Sequence, residues 1–392
     1  MKKQRRLKRK GNLFYIYFIY FLVFCILLLL SINFFKSGDV KGIKTSPYVT
    51  SYGTQLVESG KIRKFVGYNA FQSATLPGYN VGCGSYVSNI DEFFSTLPSN
   101  SMIRIWGWQG SMAINPKTKE LDWSGIDRVL AAAEKYNQKV IVSLGNQSGQ
   151  CDDGQWKDSS WYAGGFKQVY NPSGFTPLSY WDFVQRIVKR YKNSKVIAMW
   201  ELINEPETSD CSGFNGVACY GHQICQDHTK AAKILRLFFD KVGERIKTID
   251  HNHLVESGLI GTGQCGSDNN NYVYLHQSPV VDVASYHDYN DDDSPIPGDQ
   301  WNGLAVRLKQ MESIDKPIII GELGMLASQN GKNCLSFNQR ATKIQAKMDA
   351  MFANGVAEIF LWDRTPGEST ECNFDIGDND PLVSIINSYK LH

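Results

Sequence analysis

Beyond residue 60 the chain alternates short apolar runs with longer segments in which apolar residues recur every three or four positions. The runs are Phe65–Asn69, Ser101–Trp106, Lys139–Leu144, Val196–Leu202, Leu254–Ser257, Val281–Tyr286, Pro317–Gly321 and Glu358–Trp362. Each is apolar on both faces, as strands of a parallel sheet covered on two sides must be. Helical spacing is clearest over Trp123–Tyr136, Pro177–Tyr191, Gln226–Thr248, Trp301–Ser313, Phe337–Asn354 and Leu382–Leu391. Shorter helices fit Ile90–Leu97 and Asn271–His276. In Trp123–Tyr136, Ile126, Val129, Leu130 and Ala133 share one face. Gly355 supplies a stop after Asn354. Eight strand–helix units predict an α/β chain folded as a (β/α)8 TIM barrel over residues 61–392, with a doubly wound open sheet as the alternative. No internal repeat or second domain is visible.

The first residues break this pattern. Residues 1–12 hold seven Lys and Arg and no acid, and Leu13–Phe35 is apolar except for Ser31 and Asn33. About 20 apolar residues cross a bilayer as one helix, and a basic flank stays on the cytoplasmic side. The expectation is a cytoplasmic segment at 1–12, a transmembrane signal anchor at 13–35 and a polar tether at 36–60, with the barrel outside the cytoplasm. A cleaved signal peptide fits less well, because its apolar core is shorter and ends at small residues. A lipoprotein signal at Cys25 would need small residues before it, where Leu22-Val23-Phe24 stands.

This segment also changes the meaning of the charge. The whole chain carries +2. Without residues 1–42 it has 32 basic against 38 acidic residues, a net −6. A mildly acidic domain argues against nucleic acid as a partner.

Outside the apolar segment stand eight cysteines: Cys83, Cys151, Cys211, Cys219, Cys225, Cys265, Cys334 and Cys372. All fall in loops that follow strands, which in a barrel form one face. An even number in an exported domain predicts disulfides, with Cys334–Cys372 paired because loops seven and eight are neighbours. No zinc spacing appears, and Asp291–Asp293 and Asp375–Asp380 lack that of a calcium loop. No metal or cofactor is expected.

The candidate chemistry sits at two strand ends. Strand four reads Met199-Trp200-Glu201-Leu202-Ile203-Asn204-Glu205-Pro206, and strand seven Ile318-Ile319-Ile320-Gly321-Glu322-Leu323-Gly324. Strands four and seven lie across an eight-strand ring, so Glu205 and Glu322 can face each other over its mouth. Two such carboxyls suit glycosidic cleavage, one as acid and one as nucleophile. Glu201, inside its strand, reads instead as the partner of a buried arginine.

Trp-Glu-Leu-Ile-Asn-Glu-Pro with Ile-Ile-Ile-Gly-Glu-Leu-Gly resembles glycoside hydrolase family 5, over essentially residues 61–392. The resemblance implies a retaining hydrolase of β-linked polysaccharide, with Glu205 as acid/base and Glu322 as nucleophile. It implies that Asn204 binds the 2-hydroxyl beside the scissile bond and that Arg104 supports the nucleophile. It sets His287 and Tyr289 around nucleophile and substrate, and Trp362 as a platform under the sugar. Asn146 stands where many cellulases of the family have histidine, which resembles the β-mannanase branch. The backbone stays open among β-1,4-mannan, β-glucan and related β-linked chains. Trp106, Trp108, Trp156, Trp161 and Trp301 are candidates for outer subsites. Asn146-Gln147-Ser148 is a glycosylation sequon, but its place in the expected cleft makes it a poor acceptor. A surface transglycosylase and a non-catalytic carbohydrate-binding barrel remain the alternatives.

Overall fold

The computed structural model of the chain describes residues 45–64, 66–78, 86–211 and 223–389. The expected basic segment, 1–12, and anchor, 13–35, lie outside the described residues. Among the described residues no helix is long and apolar enough to cross a membrane.

All eight expected strands form. They are β1 (Val66–Asn69), β2 (Met102–Trp106), β3 (Lys139–Ser143), β4 (Ile197–Glu201), β5 (Leu254–Glu256), β6 (Ala284–Asp288), β7 (Ile318–Leu323) and β8 (Ile359–Leu361). The sheet runs β5-β4-β3-β2-β1-β8-β7-β6, with every pairing parallel. A parallel bridge between Glu256 and Val283 joins its two edges, so the sheet closes on itself. A barrel helix follows each strand: α1 (Ile90–Ser95), α2 (Ser124–Lys135), α3 (Tyr180–Tyr191), α4 (His228–Ile249), α5 (Asn271–His276), α6 (Leu304–Glu312), α7 (Phe337–Ala353) and α8 (Pro381–Ser388), with short extra helices at Gln109–Met112 and Ser159–Ala163 in the loops before α2 and α3. Side chains set their starts. Ser179 caps α3, Asp227 caps α4, and Ser336 with Gln339 forms a capping box at α7.

The inside of the barrel has two layers. Met102, Met199, Leu254, Ile319 and Phe360 belong to one apolar cluster near the strand starts. Side chains two positions apart on a strand share a face. Two residues beyond Met102, Met199 and Leu254 come Arg104, Glu201 and Glu256, all buried. The same alternation that fills the lower barrel therefore stacks a charged cluster above it.

Residues 36–44 of the expected tether at 36–60 lie outside the described residues, and from Thr50 on the structure replaces tether with strand. Thr50–Tyr52, Gln55–Glu58 and Lys61–Arg63 form a three-stranded antiparallel sheet. Its Val49 and Leu56 are buried in the lower apolar layer. Glu58 and Glu358 flank Arg63, and Lys139 reaches Glu58 at 3.0 Å. This sheet plugs the end of the barrel opposite the cleft.

The loops after the strands carry the cross-links. Cys334–Cys372 joins the β7 and β8 loops, as their adjacency predicts. Cys225–Cys265 joins the β4 and β5 loops, and Cys151 is also disulfide-bonded. Cys25, Cys83 and Cys219 lie outside the described residues. The acidic runs are tied down by cations. Lys343 and Lys347 of α7 hold Asp293 and Asp288, Arg364 pairs with Asp378, and Arg340 pairs with Asp380.

Candidate active site

Arg104 is the hub of the site. It is 1% exposed, and its fork donates from Nε to Glu201 Oε2 at 2.5 Å and from Nη2 to Glu201 Oε1 at 2.7 Å. Nη2 also reaches Asn204 Oδ1 at 2.6 Å, and Nη1 reaches Asn69 Oδ1 and Glu322 Oε1, each at 2.8 Å. Only a planar guanidinium offers donors spread this way. One cation thus fixes β4, the Asn204 amide and the Glu322 carboxylate together. Asn69 locks the far side, donating to Gly321 O at 2.9 Å.

The chain turns sharply where β4 ends. Glu205 has φ +56°, and its N–H donates to Gly258 O at 2.8 Å. Gly258, at φ +74°, packs so closely that a Cβ there would lie 1.9 Å from Ile203 O. Only glycine can sit there, and this contact lets Glu205 swing out of the strand direction. Gly321 makes room in the same way for His287, since a Cβ would meet its Nε2 at 2.8 Å.

The two candidate carboxylates meet at His287. Its Nδ1 lies 2.8 Å from Glu205 Oε1 and 3.5 Å from Glu322 Oε2. One oxygen of Glu205, one of Glu322 and the imidazole lie within 4.8 Å of one another. That separation matches the roughly 5 Å of a retaining pair and is too short for the 6.5 Å or more of an inverting one. The same three groups could in principle span a cation. Arg104 and Tyr289 already occupy both Glu322 oxygens, however, and the guanidinium charge opposes a metal there.

Asn204 is fixed at both ends of its amide. Its Oδ1 accepts from Arg104, and its Nδ2 donates to Asn146 Oδ1 at 3.2 Å. Among the described residues the second Nδ2 hydrogen has no acceptor. Asn146 donates in turn to Ser148 Oγ and Gln150 O at 3.0 Å each, so the sequon asparagine is committed inside the site.

Electrostatics separate the carboxyls. Burial pushes Glu322 above its ordinary value, and His287 and Arg104 only partly pull it back. Burial also opposes charge on Glu201, but Arg104 outweighs it and holds that carboxyl below its ordinary value. For His287 burial favours the neutral ring, and Glu322 with Glu205 reverses this, leaving it raised. Glu256, beside Glu201 in register, is driven well above the carboxylate range by burial and by Glu201, and accepts from the Gly258 N–H at 2.8 Å.

A cleft of about 590 Å³ lies over this cluster. Glu205, Glu322, Asn146, Asn204, Tyr289 and Trp362 all line it, while Arg104 and His287 stand behind them. Trp362 stacks on Phe71 at 5.2 Å, and Trp106 on Trp108 at 3.8 Å, giving an aromatic wall. Trp106, Trp108 and Trp156 reach the cleft as expected. Trp161 does not. It is buried among Tyr162, Phe166, Tyr180 and Phe238. Trp301 is 62% exposed and does not line the cleft. Asn69, Phe71, Gln147, Glu207 and Phe374 were missed. For Asn69 a signal existed, a polar residue ending an apolar strand; for Glu207 the sequence held none that separates it from a solvated loop acid.

A closed parallel barrel with two carboxylates facing across its mouth over a long open cleft defines a retaining, endo-acting O-glycosyl hydrolase. No family model matches the chain. It is 25% identical over 348 residues to mannan endo-1,4-beta-mannosidase 1 of Arabidopsis thaliana, covering 79% of this chain and 78% of that protein. Its fold is that of the endo-1,4-beta-mannanase from Rhizomucor miehei, with TM-score 0.59 and 20% identity, covering 87% of this chain and 97% of that one. A glycoside hydrolase family 5 mannosidase from the same organism gives TM-score 0.58 at 16% identity, covering 87% and 96%. The chain's strand-end motifs, with these likenesses, resemble those of glycoside hydrolase family 5.

Proposed function

We propose that the protein cleaves β-1,4-mannan within the chain, by double displacement with Glu205 and Glu322. The approach of the two carboxylates to within 4.8 Å of each other carries this reading. Glu322, already accepting from Arg104 and Tyr289, attacks the anomeric carbon as Glu205 gives its proton to the leaving oxygen. A covalent glycosyl-enzyme forms. Glu205, now a base, takes a proton from water, which attacks the same carbon and restores the configuration. His287 keeps Glu205 in place through both steps. Trp362 supports the sugar at the cleavage point, and Asn204 offers its free N–H to the 2-hydroxyl.

Mannan is favoured over glucan by Asn146 and by the mannan-cleaving names of the relatives. Release of reducing ends from mannan, cellulose and mixed-linkage glucan tests it. Faster release from either glucan would reverse the assignment. The intact pair of carboxylates speaks against a merely carbohydrate-binding barrel. The basic run before Leu13–Phe35 supports an extracytoplasmic enzyme held at a membrane. Protease outside intact cells then releases the barrel domain, and full-length protein in the cytosol would contradict it.

A further inference from the structure

Glu256 is a buried acid that the double displacement leaves unused. It ends β5, is 0% exposed and does not line the cleft. It stands in register with Glu201 of β4, the carboxyl that grips Arg104. Its Oε1 accepts from the Gly258 N–H at 2.8 Å. The Gly258 carbonyl in turn accepts the Glu205 N–H, also at 2.8 Å. Glu256 Oε2 is buried with no donor to accept from among the described residues. The Glu201 carboxyl lies within hydrogen-bonding reach of Glu256, and Arg104 and Tyr272 also feel its charge.

We propose that Glu256 is a positioning residue for both catalytic carboxyls, holding Glu205 through Gly258 and Glu322 through Glu201 and Arg104. The inference rests on the glycosidase reading above. Two buried carboxyls side by side repel when both are charged, and two acceptors form no hydrogen bond. A proton on Glu256 removes both problems. Its Oε2 then donates to Glu201 and gains the partner it lacks. Burial and the Glu201 charge both raise the Glu256 carboxyl, in the same direction. The donated bond takes up part of the Glu201 charge, so more of the Arg104 charge is left for Glu322. On the other side, Oε1 holds the Gly258 N–H at φ +74°, where a Cβ would also press on Glu201 Cγ at 3.3 Å. That residue sets where the Glu205 backbone leaves β4. One carboxyl thus links the support of the nucleophile to the turn that carries the acid/base.

The test compares full-length wild-type protein, Glu256→Gln and Glu256→Met on a β-1,4-mannopentaose and on a dinitrophenyl β-mannobioside. Gln can accept from Gly258 and donate to Glu201, as the proton-bearing acid does. It should keep kcat within about threefold of wild type and leave the pH profile in place. Met fills the space and does neither. Its kcat on the pentaose should fall about tenfold with KM little changed. The fall should be smaller on the aryl glycoside, whose leaving group needs no proton from Glu205. The acid limb of kcat/KM, set by Glu322, should rise by about half a pH unit, because Glu201 then claims more of Arg104. Should Glu256→Met not fold, Glu256→Thr, which suits a strand and is too short for both partners, is read the same way. A merely structural role would lower Tm and move neither the acid limb nor the leaving-group dependence, and that result would overturn the proposal. Movement of only one of the two would overturn it as well. So would Glu256→Gln with a lowered acid limb, which would mean a charged native carboxyl, or Glu256→Gln as impaired as Glu256→Met. If wild-type protein cleaves neither substrate, the glycosidase reading fails and takes this one with it.

Discussion

Arg104 Nη1 donates to Glu322 Oε1 at 2.8 Å while the rest of the same guanidinium grips Glu201. The nucleophile candidate is therefore fixed to the barrel wall through one buried cation. Arg104→Lys keeps a positive charge but cannot reach Glu201, Glu322, Asn204 and Asn69 together. We expect kcat to fall about 100-fold, in the range typical of a misplaced catalytic group. The Glu322 carboxyl already lies above its ordinary value. The acid limb of kcat/KM should thus fall above about pH 4.3, and weaker pull in the variant should move it higher still. An acid limb that stays put in Arg104→Lys would show that the pair does not tune Glu322.

The N-terminal sheet closes the barrel from below with Val49 and Leu56, both 1% exposed or less. Leu56→Ala leaves a cavity under Met102, Met199 and Phe360. It should lower stability by about 2–5 kcal/mol without changing KM, because the cleft is at the other end. Denaturant unfolding of the barrel domain reads the first quantity. A change below about 0.5 kcal/mol would mean that the sheet only rests on the surface.

Glu358 offers a pH test of stability. Burial pushes its carboxyl up to about 8, and Arg63 at 3.6 Å only partly offsets this. Unfolded, the group titrates near pH 4.3. Below that both states keep the proton. Between there and about 8 the unfolded chain releases it first, so rising pH costs stability. Glu358→Gln removes this loss. Its Tm should exceed that of the wild type at pH 8, with the gain vanishing near pH 4. A gain that is the same at both values would contradict the buried, proton-holding state.

Much of the barrel was legible because its strands are buried on both faces and its helices on one. Each therefore leaves a period in the sequence. The N-terminal sheet left almost none, since Leu56 and Val57 are the buried apolar residues of its strands, with Val49 just before them. The carboxylates Glu205 and Glu322 were legible by position, at strand ends. Glu207 was not, because burial and a neighbour's charge, not sequence, distinguish it from a solvated loop acid. Trp161 and Trp301 failed as cleft residues for a related reason. An aromatic in a loop looks the same whether it meets sugar, core or water. Cys334–Cys372 followed from adjacent loops, whereas Cys225 shares its loop with Cys211 and Cys219, so adjacency alone could not pair it with Cys265.

The most direct measurement is chemical rescue of Glu322→Ala and Glu205→Ala on an aryl β-mannoside, with the anomer of the azide product read by NMR. Without the Glu322 side chain, a small anion can enter the space and attack the anomeric carbon itself. Azide should then restore turnover of Glu322→Ala with an inverted, α-configured product. Without Glu205, a good leaving group still departs, the glycosyl-enzyme forms on Glu322, and its breakdown slows. Azide should speed Glu205→Ala and give a retained, β-configured product. Opposite anomers from the two variants are the signature of a nucleophile and an acid/base facing each other across the cleft. The same anomer from both, or near-wild-type activity of either variant on mannan without azide, would contradict the assignment.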